Sequence, residues 1–445
     1  MRDLVIIGAG PGGFDTAIHA KELGLDVVLI EKHIVGGTCL NYGCIPTKAL
    51  YHNAKQIKLM KSLDVFGIEV DNYNVDLNKV KIRKEEIVAS QVKNIITTLN
   101  KLNVDLIEGE ATIIDKNTVL VNGEEIKTKN IIIATGSKPS MIPFEGQDLD
   151  VIHTSRDILS LETWPKKMVI VGAGVIGCEM ASIFNEFGTE VHLVEYMDEI
   201  LPPLDKDVKK RARNLYKRAG INIYVKSKFL GVKQEDGIYR AMIEGKKKTL
   251  EIETDYVLVS TGRSPNFGGV DLDSLGIDYT RQGIIVNENK ETSVKGIYAI
   301  GDVNGEFMLA HKATYDGFKA LAHIQKHEKN IRFDQVPSVV FTFPEIATVG
   351  KTEQELEGTN YRINKFMFKT NAKAQCLNET DGFVKMIVDE EGIVVGCHII
   401  GPHASDLIHE VTSVMYNNIG IEEYKNIIHA HPTISEVVSE CIKGL

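Results

Sequence analysis

The chain lacks any long apolar segment. No uncharged apolar run in its 445 residues approaches the roughly 18 residues that a membrane-spanning helix needs, so a membrane protein is not expected. The apolar run at residues 4–7 follows Met1 almost at once, which leaves no room for a cleavable leader peptide. We therefore expect the protein in the cytoplasm.

Cysteine and basic charge are also scarce. Six cysteines in a chain of this length do not make a disulfide framework, and only Cys39 and Cys44 lie close enough in sequence to act as a pair. Lys and Arg number 51 against 61 Asp and Glu, which gives a formal net charge of −10. That balance repels nucleic acid and anionic lipid, so neither is an expected partner.

Two stretches of the chain repeat one pattern: an apolar run, a glycine-rich turn, a helix-compatible stretch and a second apolar run that ends in glutamate. The first ends at Glu31 and the second at Glu195, and in both the first glycine lies 23 residues before the glutamate. This agreement indicates a duplicated βαβ unit. The glycines concerned are Gly8, Gly10 and Gly13 in the first copy and Gly172, Gly174 and Gly177 in the second.

Both copies also close alike, on an apolar run that turns at a Thr-Gly pair: Thr135-Gly136 in the first and Thr261-Gly262 in the second. The first copy is 38 residues longer between its first glycine and this threonine, 127 against 89, and the extra length holds the cysteine pair. A later strand ending in Gly301-Asp302, with a helix expected from about residue 309 to 325, is predicted to complete the first copy. After residue 330 short strands and then helices indicate a separate α+β domain.

The predicted fold class is therefore α/β, with two Rossmann-like dinucleotide domains and a C-terminal α+β dimerisation domain. About three domains also suit the length, at roughly 150 residues each. The predicted bounds are 1–142 for the first nucleotide domain, 143–265 for the second, 266–333 for a segment that completes the first, and 334–445 for the C-terminal domain.

The glycine-rich turns indicate two bound dinucleotides. A turn between strand and helix presents backbone N–H groups and the positive end of the helix dipole to a pyrophosphate, where a Cβ would block close approach. Glu31 and Glu195 suit a ribose diol, and Glu195 favours NAD over NADP because residues 196–198 offer no arginine for a 2′-phosphate. The alternative, two turns that only pack helix on sheet, leaves both glutamates unexplained.

The cysteine pair indicates redox chemistry. Cys44 lies next to the start of a helix predicted at about residues 46–62, where the dipole and free amides stabilise a thiolate. A metal site is not expected, because zinc takes about four ligands and no second cysteine pair or histidine cluster supplies them. Since NAD exchanges a hydride and a dithiol reacts through thiolate attack, a cofactor that serves both must intervene. Flavin fits, so the first dinucleotide is predicted to be FAD.

Over essentially its whole length the chain resembles the FAD-dependent pyridine nucleotide-disulfide oxidoreductases of class I. The resemblance is carried by residues 37–48, around the cysteines, and by residues 429–436. It implies that Cys39 exchanges with substrate, that Cys44 contacts the flavin, and that Lys48 forms an ion pair with Glu179. It also implies a set of residues that complete cofactor binding: Gly37, Thr38, Lys48, Ala134, Thr135, Gly136, Gly301, Asp302 and Ala310 for FAD, and Gly262 in the second copy.

A dithiol substrate must lose protons, and a histidine held by a carboxylate is a suitable acceptor. His431 with Glu436 fits this role, with His429 as the competing candidate. The resemblance implies that His431 comes from the partner subunit of a homodimer. The other histidines, including His311 and His398, are predicted to be structural, as are Cys178, Cys376, Cys397 and Cys441, which are expected to be buried. The basic run 246–248 is predicted to be a solvated turn.

The expected activity is oxidation of dihydrolipoamide, carried on a lipoylated acyltransferase core or a glycine-cleavage carrier, with reduction of NAD⁺. The alternative is an NADPH-dependent reductase of another disulfide, such as glutathione, and Glu195 argues against it. A nucleotide-binding scaffold without turnover is a third possibility. The intact set of Cys39, Cys44, His431 and Glu436 argues against a scaffold.

Overall fold

The computed structural model describes residues 1–246 and 248–445. Its backbone forms two compact units. Unit 1 comprises residues 1–49, 77–140 and 262–331, and unit 2 comprises 50–76, 141–261 and 332–445. In the basic run predicted to be a solvated turn, Lys246 and Lys248 are exposed and Lys247 lies outside the described residues.

The strands of the described residues are β1 (Arg2–Ile7), β2 (Val27–Glu31), β3 (Asp105–Glu108), β4 (Ala111–Asp115), β5 (Thr118–Val121), β6 (Glu124–Ile133), β7 (Ser137–Pro139), β8 (Ile152–Thr154), β9 (Lys167–Val171), β10 (Glu190–Val194), β11 (Asn222–Tyr224), β12 (Lys228–Glu235), β13 (Ile238–Glu244), β14 (Thr249–Glu253), β15 (Tyr256–Val259), β16 (Arg263–Pro265), β17 (Ile297–Ala299), β18 (Ser338–Val340), β19 (Glu345–Gly350), β20 (Arg362–Met367), β21 (Phe383–Val388) and β22 (Val394–Gly401).

The α-helices of the same residues are α1 (Pro11–Glu22), α2 (Gly37–Tyr42), α3 (Cys44–Met60), α4 (Leu77–Lys101), α5 (Val175–Glu186), α6 (Lys206–Arg218), α7 (Leu272–Leu275), α8 (Ala310–Ile324), α9 (Ala372–Cys376), α10 (Ala404–Tyr416), α11 (Ile421–Tyr424) and α12 (Glu436–Lys443). Each of these helices is either too short or too polar to cross a membrane.

Unit 1 is built on one sheet in the order β3-β2-β1-β6-β5-β4, with β17 also paired to β6. β1 lies between β2 and β6, parallel to both, and its apolar run is buried on both faces. Leu4 and Ile6 pack towards α1 and α8, whereas Val5 and Ile7 pack towards β4 and β5. This alternation follows from the two-residue period of a strand, and it places the turn after β1 at the carboxyl edge of the sheet.

Unit 2 repeats this construction. Its parallel sheet has the order β11-β10-β9-β15-β8, and an antiparallel sheet β12-β13-β14 packs on one face of it. A third sheet, β18-β19-β22-β21-β20, is antiparallel and packs against α10 and α12 through a large apolar cluster.

A buried ion-pair cluster lies beside this third sheet. The side chain of Lys385 in β21 is fully buried, and its Nζ lies 2.8 Å from Asp205 Oδ2, 2.7 Å from Asp207 Oδ2 and 2.6 Å from Glu353 Oε2. Burial raises the pKa of Asp205, but the hydrogen bonds and positive charge of Lys385, with His398 and the Asp207 amide, together outweigh it and lower that pKa below its usual value. Because a buried charge is costly unless paired, these contacts hold the start of α6 in one arrangement.

The α/β class predicted from the sequence is confirmed: two parallel sheets each carry a glycine-rich turn, and an antiparallel sheet with helices follows near the C-terminus. The predicted domain bounds stay a prediction. Three features were not predicted: the two antiparallel additions, β4-β5 and β12-β13-β14, and the short helix α2.

Candidate active site

The first glycine of each glycine-rich turn has no room for a side chain. Gly8 has a φ of +105°, and a Cβ there would lie 2.4 Å from the carbonyl oxygen of Ala134. Gly172 has a φ of +98°, and its Cβ would lie 2.5 Å from the carbonyl oxygen of Ser260. Both positions therefore require glycine for conformation and for space.

The other two glycines differ in their surroundings. A Cβ on Gly13 would lie 1.8 Å from the carbonyl oxygen of Gly8, and one on Gly177 would lie 2.0 Å from that of Gly172. Apart from the residues next to them in the chain, no described residue has an atom within 4 Å of a Cβ built on Gly10 or Gly174. The middle glycines therefore leave open space at the starts of α1 and α5, which fits the close approach of a pyrophosphate to the backbone.

The two glutamates brace these turns. Glu31 accepts hydrogen bonds from the Ala9 amide at 2.7 Å and the His33 amide at 2.9 Å. Glu195 accepts from the Ala173 amide at 2.7 Å and the Met197 amide at 2.8 Å. The sequence predicted a ribose partner for each carboxylate and did not predict these hydrogen bonds to backbone amides. Since a carboxylate has about four lone-pair sites, acceptor capacity remains for a ribose diol.

Gly37 brings the cysteine segment against the first turn. It has a φ of +56°, and a Cβ there would lie 2.7 Å from Cα of Gly10. Helix α2 begins at this glycine and carries Thr38 and Cys39, and Cys44 is the first residue of α3. The helix predicted from about residue 46 therefore begins two residues earlier, with Cys44 itself in its first turn, and Cys39 lies in a separate helix.

The two thiols are electrostatically linked. A hydrogen bond with Cys44 raises the pKa of Cys39 strongly, and burial and the negative charge of Cys44 raise it further, while the positive charge of Lys48 opposes them. A negative charge on one thiol therefore disfavours deprotonation of the other. The separate roles that the resemblance implies for Cys39 and Cys44 stay a prediction.

An arginine that the sequence did not single out, Arg263, lies near Cys44. Burial lowers the pKa of Arg263, and the negative charges of Asp302 and Cys44 oppose that shift. Arg263 donates from Nε to Ser137 Oγ at 2.7 Å and from Nη2 to the Ser137 carbonyl at 2.8 Å. Ser137 Oγ in turn donates to Asp302. The predicted cofactor residue Asp302 is therefore connected to Arg263 through Ser137.

One sequence signal could have revealed this contact. The segments after Thr135-Gly136 and Thr261-Gly262 resemble one another, and in the structure they pair as the antiparallel strands β7 and β16. The Gly262 carbonyl accepts from the Ser140 amide at 3.0 Å. Their likeness in sequence suggested equivalent roles in two copies, whereas they are neighbours in unit 1.

A cluster of four charged side chains, of which Glu306 is exposed and the other three are buried, supports the turn that contains Gly301 and Asp302. Asp316 is fully buried and accepts from the Gly301 amide at 3.1 Å and from Lys312 Nζ at 2.7 Å. Glu306 accepts from the same lysine at 2.5 Å and from Lys290 at 2.8 Å. Burial raises the pKa of Glu306, but the two lysines outweigh it and lower that pKa. Ala310, also predicted at the cofactor, begins the helix that carries Lys312 and Asp316.

Two more residues predicted at the site are Thr135, beside the first turn, and Glu179, within helix α5 of unit 2. The Oγ1 atom of Thr135 is buried and has no hydrogen-bond partner among the described residues, which suits a polar ligand beside the first turn. Glu179 in α5 is buried and accepts from the Phe341 amide at 2.9 Å. The ion pair predicted between Glu179 and Lys48 stays a prediction.

His431 and Glu436 lie together as predicted. His431 Nδ1 is 2.9 Å from Glu436 Oε1, and Glu436 Oε2 accepts from the Thr433 amide at 2.9 Å. These hydrogen bonds, the one from Thr433 first, lower the pKa of Glu436. The His431 side chain is 73% exposed, so its second nitrogen faces outward, whereas that of His429 is only 9% exposed. Exposure therefore favours His431 over His429 as the proton acceptor.

The remaining cysteines and histidines have simpler surroundings. Cys178, Cys397 and Cys441 are buried as predicted, and burial raises the pKa of Cys441 to about 12. The prediction for Cys376 was wrong: it is exposed, because it ends the short surface helix α9. His398 is buried between Thr348 and the Lys351 carbonyl, and burial lowers its pKa. Among residues 1–246 and 248–445 no cluster of metal-ligating side chains occurs.

Comparison with known proteins gives matches over almost the whole chain. A family model described as pyridine nucleotide-disulphide oxidoreductase matches residues 2–317, and the dimerisation domain of the same family matches residues 336–442. The chain is 38% identical over 453 residues to a mitochondrial dihydrolipoyl dehydrogenase of Pisum sativum, covering 99% of this chain and 90% of the relative.

Two further matches come from bacteria. A dihydrolipoyl dehydrogenase of Geobacillus stearothermophilus is 38% identical over 450 residues, covering 98% of this chain and 95% of the relative. The crystal structure of LpdA from Mycobacterium tuberculosis superposes with a TM-score of 0.92 at 25% identity, covering all of this chain and 99% of that one.

Proposed function

Because the chain belongs to the pyridine nucleotide-disulphide oxidoreductase family, we propose that it oxidises dihydrolipoamide to lipoamide and reduces NAD⁺ to NADH. The single observation that carries this proposal is the electrostatically linked pair of Cys39 and Cys44. The segment that holds this pair begins at Gly37, directly against the first glycine-rich turn. The predicted family is confirmed. Relatives named dihydrolipoyl dehydrogenase, 38% identical over nearly the full chain, support the choice of substrate.

The family implies a flavin and a nicotinamide nucleotide. We assign FAD to the turn at Gly8, Gly10 and Gly13, and NAD to the turn at Gly172, Gly174 and Gly177. The open space at each middle glycine supports a dinucleotide at each turn, and the cysteine-bearing segment beside Gly10 supports FAD at the first. When bound, FAD supplies a carrier that takes an electron pair from a thiolate and gives it to NAD⁺ as hydride. We assign residues 1–142 and 266–333 to FAD, 143–265 to NAD, and 334–445 to the dimer contact.

The cysteines perform the exchange with substrate. With the pair oxidised, one substrate thiolate attacks Sγ of Cys39, the Cys39–Cys44 bond breaks, and Cys44 leaves as thiolate. The second substrate thiolate then attacks the substrate sulfur of the mixed disulfide, which closes the lipoamide ring and releases Cys39. Lys48 provides positive charge that favours a thiolate at Cys39, and Arg263 provides positive charge near Cys44.

His431 is the proposed base for these steps, supplied across a homodimer. Its exposed nitrogen can take the substrate proton, while Glu436 holds the other nitrogen and stabilises the imidazolium that forms. The dimerisation domain of the family spans residues 336–442 and so includes His431 and Glu436. The proposed partner is a lipoylated acyltransferase core or glycine-cleavage carrier, and a cytoplasmic location stays a prediction.

The test is a comparison of steady-state rates with two substrate pairs. We expect turnover with dihydrolipoamide and NAD⁺ to exceed by far that with NADPH and glutathione disulfide, because Glu195 repels a 2′-phosphate. Faster turnover with the second pair would instead identify a reductase of another disulfide. A preparation without a yellow flavin would contradict both.

A further inference from the structure

The two neighbouring histidines of the 429–436 segment have opposite environments. His431 has one ring nitrogen on Glu436 and the other open. His429 has both nitrogens occupied: Nε2 lies 2.8 Å from Glu410 Oε1 and Nδ1 lies 3.1 Å from the carbonyl oxygen of Ile427. With only 9% of its side chain exposed, His429 has no nitrogen left for a substrate. Its contacts point inward, to the support of the segment.

The carboxylate that holds His429 is itself anchored. Tyr424 Oη donates to the same oxygen of Glu410 at 2.8 Å, and Tyr424 is buried. Burial raises the pKa of Tyr424 well above its usual value, so its hydroxyl remains a donor at physiological pH. Glu410 lies in α10 and Tyr424 in α11, which both pack in the apolar cluster of the C-terminal sheet. His429 therefore ties the segment to a rigid part of the fold.

Both partners of His429 are acceptors, a carboxylate oxygen and a carbonyl oxygen. An imidazole ring meets such acceptors through its N–H groups. In the catalytic pair, the hydrogen bonds from Thr433 and His431 lower the pKa of Glu436. An ionised Glu436 is the form that accepts from His431 Nδ1.

A second tie holds the segment on the other side of His431. The Asn371 amide group donates to the Thr433 carbonyl at 3.1 Å, and its oxygen accepts from the Ala374 amide at 2.8 Å at the start of α9. Asn371 is 5% exposed. His431 thus lies between two buried attachments while its own ring stays open to the outside.

We propose that His429 is a positioning residue for His431, fixing the segment so that the ring of His431 and its partner Glu436 keep the geometry needed to take the substrate proton. The inference rests on the proposed function, in which His431 is the base.

The test is a double-mutant cycle with His429→Gln, His431→Gln and the double variant, measured by two rates on the FAD-loaded dimer. One is dihydrolipoamide oxidation with NAD⁺. The other is ferricyanide reduction by NADH, in which the acceptor takes electrons from reduced flavin without the base. We expect His429→Gln to lower kcat for dihydrolipoamide about 10- to 100-fold, as expected for a displaced catalytic group. We expect ferricyanide reduction to be unchanged, and the double variant to be no slower than His431→Gln.

Two variants control the comparison. His409→Gln changes an exposed histidine on the same helix as Glu410 and should leave both rates unchanged. Glu410→Gln keeps an acceptor oxygen and removes only the charge, so it should show the same pattern with a smaller loss, and it replaces His429→Gln if that variant does not fold.

Three outcomes would contradict the role proposed for His429. Full dihydrolipoamide turnover in both His429→Gln and Glu410→Gln would overturn the inference, as would an equal loss of ferricyanide reduction or a double variant much slower than His431→Gln. If His431→Gln itself keeps full dihydrolipoamide turnover, the proposed base is wrong, and the failure belongs to the proposed function rather than to His429.

Discussion

The two glycine-rich turns have the same backbone geometry, but the segments that follow their second strands differ. In both copies the residue after the first glycine, Ala9 or Ala173, donates its amide to the glutamate at the end of the second strand. The carbonyl of the same alanine accepts a hydrogen bond at 2.8 Å, from the Gly36 amide in the first copy and from the Leu201 amide in the second. After Gly36 the first copy forms the cysteine-bearing α2. After Leu201 the second copy continues into prolines 202 and 203 instead.

This difference shows how one scaffold acquires two tasks. The turn to which we assign a pyrophosphate has the same geometry in both copies, including the open space at Gly10 and Gly174. The reactive thiols are added only in the connection after the shared turn. Binding and redox chemistry are therefore separable in the chain, and substitutions in the two copies should have separable effects.

The largest expected effect belongs to the connection that only the first copy has. Cys44→Ser should lower dihydrolipoamide oxidation by on the order of 10³-fold or more, since the thiolate is removed outright. When the Cys44→Ser variant is reduced by two electrons per flavin, it should also fail to show the long-wavelength absorbance of a thiolate in contact with the flavin. Absorbance spectra of the variant and the parent protein check this. Retention of the band in Cys44→Ser would show that another group contacts the flavin.

The middle glycines offer a matched pair of substitutions. Gly10→Ala and Gly174→Ala each add a Cβ that, apart from its chain neighbours, meets no atom of the described residues within 4 Å, so both variants should fold normally. We expect Gly10→Ala to weaken FAD retention and Gly174→Ala to raise the KM for NAD⁺. Each effect should be about 10- to 100-fold, from the 1–3 kcal/mol that a crowded group costs.

Flavin content and NAD⁺ kinetics separate the two variants, and each is the control for the other. Gly13→Ala gives a contrast, because its Cβ would lie 1.8 Å from a carbonyl oxygen and should destabilise the fold itself. If Gly174→Ala lost FAD while Gly10→Ala kept it, the two nucleotide assignments would have to be exchanged.

The two bracing glutamates should show a smaller difference. Glu195→Gln removes the charge that repels a 2′-phosphate, so the ratio of kcat/KM for NAD⁺ over NADP⁺ should fall about tenfold. Glu31→Gln removes the equivalent charge in the first copy and should leave that ratio unchanged. An equal change in both variants would indicate a general loosening rather than nucleotide selection.

The smallest expected effect is on acid stability. The folded-state pKa values of Glu306 and Asp205 lie below their usual values, so the stabilisation from their ion pairs is present above the unfolded-state pKa of about 4 and is lost as pH falls through the folded-state values. Urea midpoints should therefore fall between pH 5 and pH 3. Asp205→Asn should reduce that dependence, and an unchanged slope would mean that other carboxyl groups govern it.

The glycine turns and the cysteine pair could be predicted because the interactions that define them are local. A strand, a turn and a helix follow one another within two dozen residues, and each glycine has a conformational or steric reason to be there. The predicted pairing of His431 with Glu436 also succeeded over five residues.

The supporting contacts could not be predicted because they join residues far apart in the chain. Arg263 meets Ser137 across 126 residues, and Lys385 meets Asp205 across 180. Such pairs depend on how elements pack, which no local pattern records. The prediction for Cys376 was wrong for a related reason, since a lone cysteine is buried or exposed according to the tertiary position of its helix.

A side chain at residue 37 would lie 2.7 Å from Cα of Gly10, so only glycine lets the two backbones come this close. The cysteine-bearing helix and the first glycine-rich turn therefore meet through main-chain atoms, not through adjustable side chains. Attempts to retune substrate preference should leave residues 36 and 37 untouched and vary the outer positions of α2, such as Asn41 and Tyr42. To work in the second copy, helix α2 inserted after Leu201 would need Gly36 and Gly37 in front of it as well as the thiols.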